Sequence, residues 1–113
     1  MTVTVTWGAS PDLDLHVFEP SSHVWSVNRA GNNGILGTAD PNGGPEYYYS
    51  GCTLETGDYI IKLNYVTGTG HEYPVVTVTA GSEFYQTKLD LESASGSSGN
   101  NNPLDGVCTI KVA

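Results

Sequence analysis

The sequence predicts an all-β domain: an antiparallel β-sandwich, jelly-roll or immunoglobulin-like, of seven to eight strands. Three observations carry this expectation. Apolar and polar residues alternate with period two in several short runs. Clusters of Gly, Pro, Asn, Asp and Ser separate those runs as turns. No window shows a three-turn apolar stripe of period 3.6, so helices are not expected. A small closed barrel is the rival architecture. The 113 residues fit a single domain, 1–113, with no room for a second lobe.

The elements follow in order. Val3, Val5 and Trp7 alternate with Thr4 and Thr6, the pattern of a half-buried strand. Gly8 to Pro11 turn the chain. Leu13, Leu15 and Val17 then alternate with Asp12, Asp14 and His16. Glu19-Pro20-Ser21-Ser22 is a turn signal, and Val24 to Asn28 form a further short strand. Residues 31–45 hold five glycines with Pro41 and Pro45, which predicts a long structured loop. Glu46 to Ser50 resume extended chain. The clearest strand follows Gly57-Asp58, with Tyr59, Ile61, Leu63 and Tyr65 on one face. After a turn at 66–73, Pro74 opens a Val/Thr strand through Ala80. Gly81-Ser82 lead into 83–92, where Tyr85, Thr87, Leu89 and Leu91 share a face and Phe84 is out of phase. The Ser/Gly/Asn-rich segment 93–106 reads as a flexible loop, and Val107 to Val112 are the last strand.

Charge narrows the partners. Four Lys and Arg against twelve Asp and Glu leave a net charge of −8. Nucleic acid and anionic membranes both call for a basic footprint, so neither is expected as a partner. No apolar run is long enough to insert in a membrane. The opening Met-Thr-Val-Thr-Val-Thr-Trp lacks the basic end and apolar stretch of a signal peptide, as an excised domain also would. Charged residues are only 14 %, so the polar surface comes from Thr, Ser, Asn, Gly and Tyr.

Cys52 and Cys108 are the two cysteines, too far apart in sequence for a short redox or zinc motif. The expectation is a disulfide tying the last strand to mid-chain, stabilising the fold by roughly 2–4 kcal/mol in an oxidising compartment. The alternative is two buried free thiols packed as small hydrophobes.

The acidic residues form the most chemical pattern. Asp12 and Asp14 share a strand face, opposite Leu13 and Leu15, and repel unless something positive lies between them. A hard cation, Ca²⁺, takes several oxygen ligands in flexible geometry. Asp40, Asn42 and Glu46 offer more oxygens from the long loop, so the expected site is Asp12, Asp14, Asp40 and Glu46. A solvated acidic face, or carboxylates accepting backbone N–H bonds, are the competing readings.

The run Asp12-Leu13-Asp14-Leu15-His16-Val17, with Pro20 after it, resembles the signature of the YfaP-like domains, β domains of bacterial secreted and surface proteins. Trp7 before the run, Asp40 and Gly44-Pro45-Glu46 after it, and Gly57-Asp58-Tyr59 running to Asn64-Tyr65 complete the pattern in order over residues 3–66. The chain departs from it at Ser22, where the family turns with glycine, and in the Asn-rich segment 100–102. The resemblance implies a secreted, periplasmic or cell-surface location. It names no ligand, but it groups Asp12, Asp14, Asp40 and Glu46.

Catalysis finds little support. His16 beside Asp14 has the makings of a base or a metal ligand, yet no nucleophile elbow or zinc-protease helix motif is present. Aromatic residues offer a binding surface instead. In a strand, Tyr47 and Tyr49 share one face and Tyr48 takes the other. With Trp25 they are the expected ligand-binding residues, for a glycan or an extracellular peptide. The competing reading is that tyrosines suit half-buried sheet positions. The function expected is a non-catalytic accessory or ligand-binding domain of a secreted or surface bacterial protein, built around a calcium or carboxylate-centred loop site. A structural spacer and a hydrolase are the alternatives.

Overall fold

The computed structural model describes residues 1–8, 11–37, 45–51, 53–94 and 105–113. Alternation in the sequence becomes alternation in burial. Val3 and Val5 of β1 (Thr2–Thr6) are fully buried, while Thr2 and Thr6 are exposed. The same rule places Leu13, Leu15 and Val17 of β2 (Asp12–Glu19) inside, and Tyr59, Ile61, Leu63 and Tyr65 of β6 (Gly57–Thr67) opposite them. The remaining strands are β3 (Ser22–Val24), β4 (Gly34–Leu36), β5 (Glu46–Ser50), β7 (Val75–Ala80), β8 (Glu83–Lys88) and β9 (Asp105–Val112).

They form two antiparallel sheets packed together. One is five-stranded, in the order β4-β5-β1-β7-β8; the other is four-stranded, in the order β3-β2-β6-β9. Val3, Val5, Leu36, Tyr48, Val76 and Val78 of the first meet Leu13, Leu15, Val17, Ile61, Leu63 and Tyr65 of the second in one core. Burial of these side chains is the main stabilising term. No helix long and apolar enough to cross a membrane occurs among the described residues.

Strand β4 falls inside the segment expected to be loop. It is only three residues long and begins at a glycine, too short to show a period. The strand expected at 24–28 is instead the end of β3 followed by a tight turn, in which Trp25 and Asn28 exchange backbone bonds of 3.1 and 3.0 Å. Trp7 lies just past β1, its indole N–H donating to the Pro11 carbonyl at 2.7 Å. Of the expected flexible loop 93–106, residues 95–104 lie outside the described residues, and β9 already begins at Asp105.

The expected disulfide is corrected. Cys108 is a free thiol, and Cys52 lies outside the described residues. Cys108 pairs with the fully buried Ile61 across the β6–β9 ladder. It packs against the core as a small hydrophobe, and burial pushes its thiol pKa up.

Candidate functional site

Two side chains link β5 to β2, joining the sheets along one side. The first arises because β3 is short. Its pairing with β2 runs only from Glu19 back to Val17, so among the described residues the preceding part of β2 has no strand partner on that edge. The Leu15 N–H is left to Glu46, which reaches across from β5 and accepts at 2.6 Å. Glu46 is 1 % exposed. Burial raises its carboxyl to about 8 against the pull of the Leu15 N–H, and Asp14 and Asp12 raise it further. At neutral pH it is therefore mostly the neutral acid.

The second link is Tyr48 to Glu19. The tyrosine is fully buried and its hydroxyl donates to Glu19 Oε2 at 2.6 Å. The Ser22 hydroxyl and the Asn33 N–H donate to Oε1 of the same carboxylate. Burial pushes the Glu19 pKa up, but bonds from Ser22, Tyr48 and the backbone of Asn33 and Gly34 outweigh it and hold the group below its ordinary value. Glycine makes this approach feasible. A Cβ at Gly31 would strike the Glu19 carboxylate and Val24, and one at Gly34 would strike the Tyr48 ring.

These links correct the expected cation site. Among the described residues no group of three or more His, Cys, Asp and Glu is placed to hold a metal ion, so Ca²⁺ on Asp12, Asp14, Asp40 and Glu46 is withdrawn. Glu46 is spent on a backbone amide. Asp40 lies outside the described residues. Asp12 and Asp14 do share a half-buried face. Burial lifts Asp14 to about 6, helped by Asp12, and burial also raises Asp12.

His16 sits farther along that face and is fully buried. Its Nδ1 lies 2.8 Å from His23 Nε2, so one ring must donate and the other accept. His23 stacks between Phe18, with centroids 4.0 Å apart, and Trp25, at 5.4 Å. Burial, then His23, lowers His16 to about 4, and burial lowers His23 as well. Trp25 is thus half-buried in an aromatic stack, its ring 5.2 Å from His16.

The other expected ligand residues separate as the strand pleat requires. Tyr48 is in the core. Tyr47 and Tyr49 point outward from the five-stranded sheet, 39 % and 47 % exposed. The strand register continues their face. Ile35, Tyr49, Thr2, Thr79 and Phe84 lie directly opposite one another across all five strands. Tyr47, Thr4, Thr77 and Gln86 form the next row, in which Gln86 donates to the Thr77 hydroxyl at 3.0 Å. Thr6, Val75 and Lys88 complete the face, and Lys88 is its one charged strand residue among those described.

Sequence reasoning missed Glu19, Ile35 and Phe84 as members of these groups. Glu19 was legible, since it continues the phase of Leu13, Leu15 and Val17 into the core. The Thr/Tyr rows were not, because strand order across the sheet is not written in any one segment. No family model, curated protein or solved structure matches the chain.

Proposed function

We propose that this is a non-catalytic accessory domain that binds neutral glycans on the outer face of its five-stranded sheet. The observation that carries the reading is the cross-strand row from Ile35 through Tyr49, Thr2 and Thr79 to Phe84. Its large side chains are exposed: Ile35 40 %, Tyr49 47 % and Phe84 66 %. Tyrosine offers a broad amphipathic contact at low entropic cost, and the threonine hydroxyls between can donate and accept. A chain of net charge −8 keeps this face almost free of charge, which suits an uncharged polymer better than an ionic partner. The YfaP-like pattern supports placing the domain in a secreted, periplasmic or surface-displayed bacterial protein. The two packed sheets are in keeping with a jelly-roll or immunoglobulin-like sandwich.

The test is native affinity electrophoresis through gels carrying neutral polysaccharides, with an acidic polysaccharide as control. Retardation by a neutral polymer that falls at least about tenfold in Tyr49→Ala and in Tyr47→Ala is the expected result, the scale of a binding hot spot. No retardation by any neutral polymer, or retardation unchanged in both variants, overturns the reading.

A further inference from the structure

Edge strands expose unpaired N–H and C=O groups, and folded proteins usually blunt them. Among the described residues the two sheets have four edges, two of them blunted by length, since β3 and β4 have three residues each. A third, β9, carries a register shift opposite Ile61 and Lys62. The fourth, β8, is different. It runs six residues without proline or shift against β7, and Phe84 and Tyr85 stand exposed on its two faces. Beneath Tyr85 the sheets leave a groove lined by Val78, Ala80 and Ile110.

We infer that β8 is the pairing edge of a weak two-fold dimer, adding antiparallel to β8 of a second copy and joining two five-stranded sheets into one. The hydrogen-bond pattern fixes the register. The Leu89 N–H donates to the Pro74 carbonyl at 3.0 Å, so by alternation Tyr85 and Thr87 bond toward β7. Phe84, Gln86 and Lys88 then present their N–H and C=O groups at the edge of β8 away from β7, which has no strand partner among the described residues. Centring two copies on Gln86 pairs each of these groups, with Phe84 opposite Lys88 of the second copy on both sides of the axis. The charges agree with this arrangement. Glu83 and Lys88 mark opposite ends of the strand, so antiparallel pairing sets the acidic end of each copy beside the basic end of the other. Lys88, whose Nζ lies 5.7 Å from the Tyr73 ring of its own chain, turns to the Phe84 ring of the second copy, exchanging one cation–π contact for another, while like charges stay apart.

The two-fold axis stands perpendicular to the sheet, so both outer faces lie on the same side. Seven inter-strand steps separate β5 of one copy from β5 of the other, about 34 Å before twist at the usual strand spacing. The dimer does not depend on the glycan reading, although it would place two such faces side by side. A contact of one strand edge is small, which puts it in the weak, transient class.

Sedimentation equilibrium from micromolar to millimolar protein tests the inference. Reversible monomer–dimer behaviour is expected. Gln86→Pro removes the central edge donor and leaves the backbone bonds to β7 in place, losing only the side-chain bond to Thr77, and it should abolish the dimer. Phe84→Lys, which faces Lys88 of the second copy, should weaken it at least tenfold, while Phe84→Glu should retain it. Circular dichroism melts confirm that each variant is folded, and the exposed Phe84 pair keeps the test valid if the proline variant is not. A monomer at millimolar concentration overturns the inference, as does a dimer indifferent to all three substitutions.

Discussion

At Glu19 a buried carboxylate remains charged because four donors surround it, and the Tyr48 hydroxyl and the Gly34 backbone supply the two that cross between the sheets. Tyr48→Phe removes that hydroxyl and nothing else. A loss of about 1–3 kcal/mol in chemical denaturation is expected, the cost of under-satisfying a buried polar group. The Glu19 pKa should also rise, because a bond to the charged form is gone. Carboxyl-labelled NMR titration reads that shift directly, and a Glu19 titration unchanged in Tyr48→Phe would contradict the assignment. Glu19 was readable from its phase on β2, yet it stands beside Pro20 and Ser21, whose turn chemistry dominates the local sequence. The strand pleat separates Tyr48 from Tyr47 and Tyr49 in the sequence, but which of the two faces turns into the core is not written there, and Tyr48, expected among the ligand-binding residues, is the buried one.

Between elements, β5 and β2 are joined by an acid on each strand, and the two acids titrate in opposite directions. The Glu46 pKa is raised to about 8 from an ordinary 4.5, so its stabilising share is complete below 4.5 and is lost as pH rises through 8. Asp14, raised to about 6, acts in the same sense at lower pH. The lowered groups, Glu19, His16 and His23, contribute the reverse: their stability is present above 4.5 for the carboxylate and 6.5 for the imidazoles and is lost as pH falls. Above pH 6.5 the Glu46 slope stands without opposition from these groups. The melting temperature should therefore fall between pH 6.5 and 8.5. Glu46→Gln, which keeps an oxygen for the Leu15 N–H but carries no proton to lose, should flatten that decline. An equal decline in both proteins would show that Glu46 is not its source. A carboxylate accepting a backbone N–H is one of the competing readings of the acidic residues in the sequence, but the amide it takes is not legible there: the shortness of β3, which strands the Leu15 N–H, is a property of the fold. The cysteines carry the same lesson, for separation along the chain says nothing of whether two side chains face one another.

For the whole molecule, the alternation of Val3/Val5, Leu13/Leu15/Val17 and Tyr59 to Tyr65 was enough to predict two covered sheet faces, and those residues are the core. The order of strands within each sheet was not predictable, and the outer face is a product of that order: β4, β5, β1, β7 and β8 come from segments spread from residue 2 to residue 88. The net charge of −8 acts at this scale too. Self-repulsion among twelve acids opposes the compact state, so moderate sodium chloride should raise the melting temperature by screening it; a melt insensitive to salt would show that the acids are already balanced locally. That charge lies almost wholly off the strand positions of the outer face, which is what makes the face a site for an uncharged ligand. The most direct measurement is amide chemical-shift mapping with a neutral oligosaccharide drawn from whichever polymer retards the protein. The account predicts shifts concentrated at Tyr47, Tyr49, Thr2, Thr4, Thr77 and Thr79, with the four-stranded sheet silent. Shifts confined instead to β2, β3 and β6, around His16, His23 and Trp25, would contradict it.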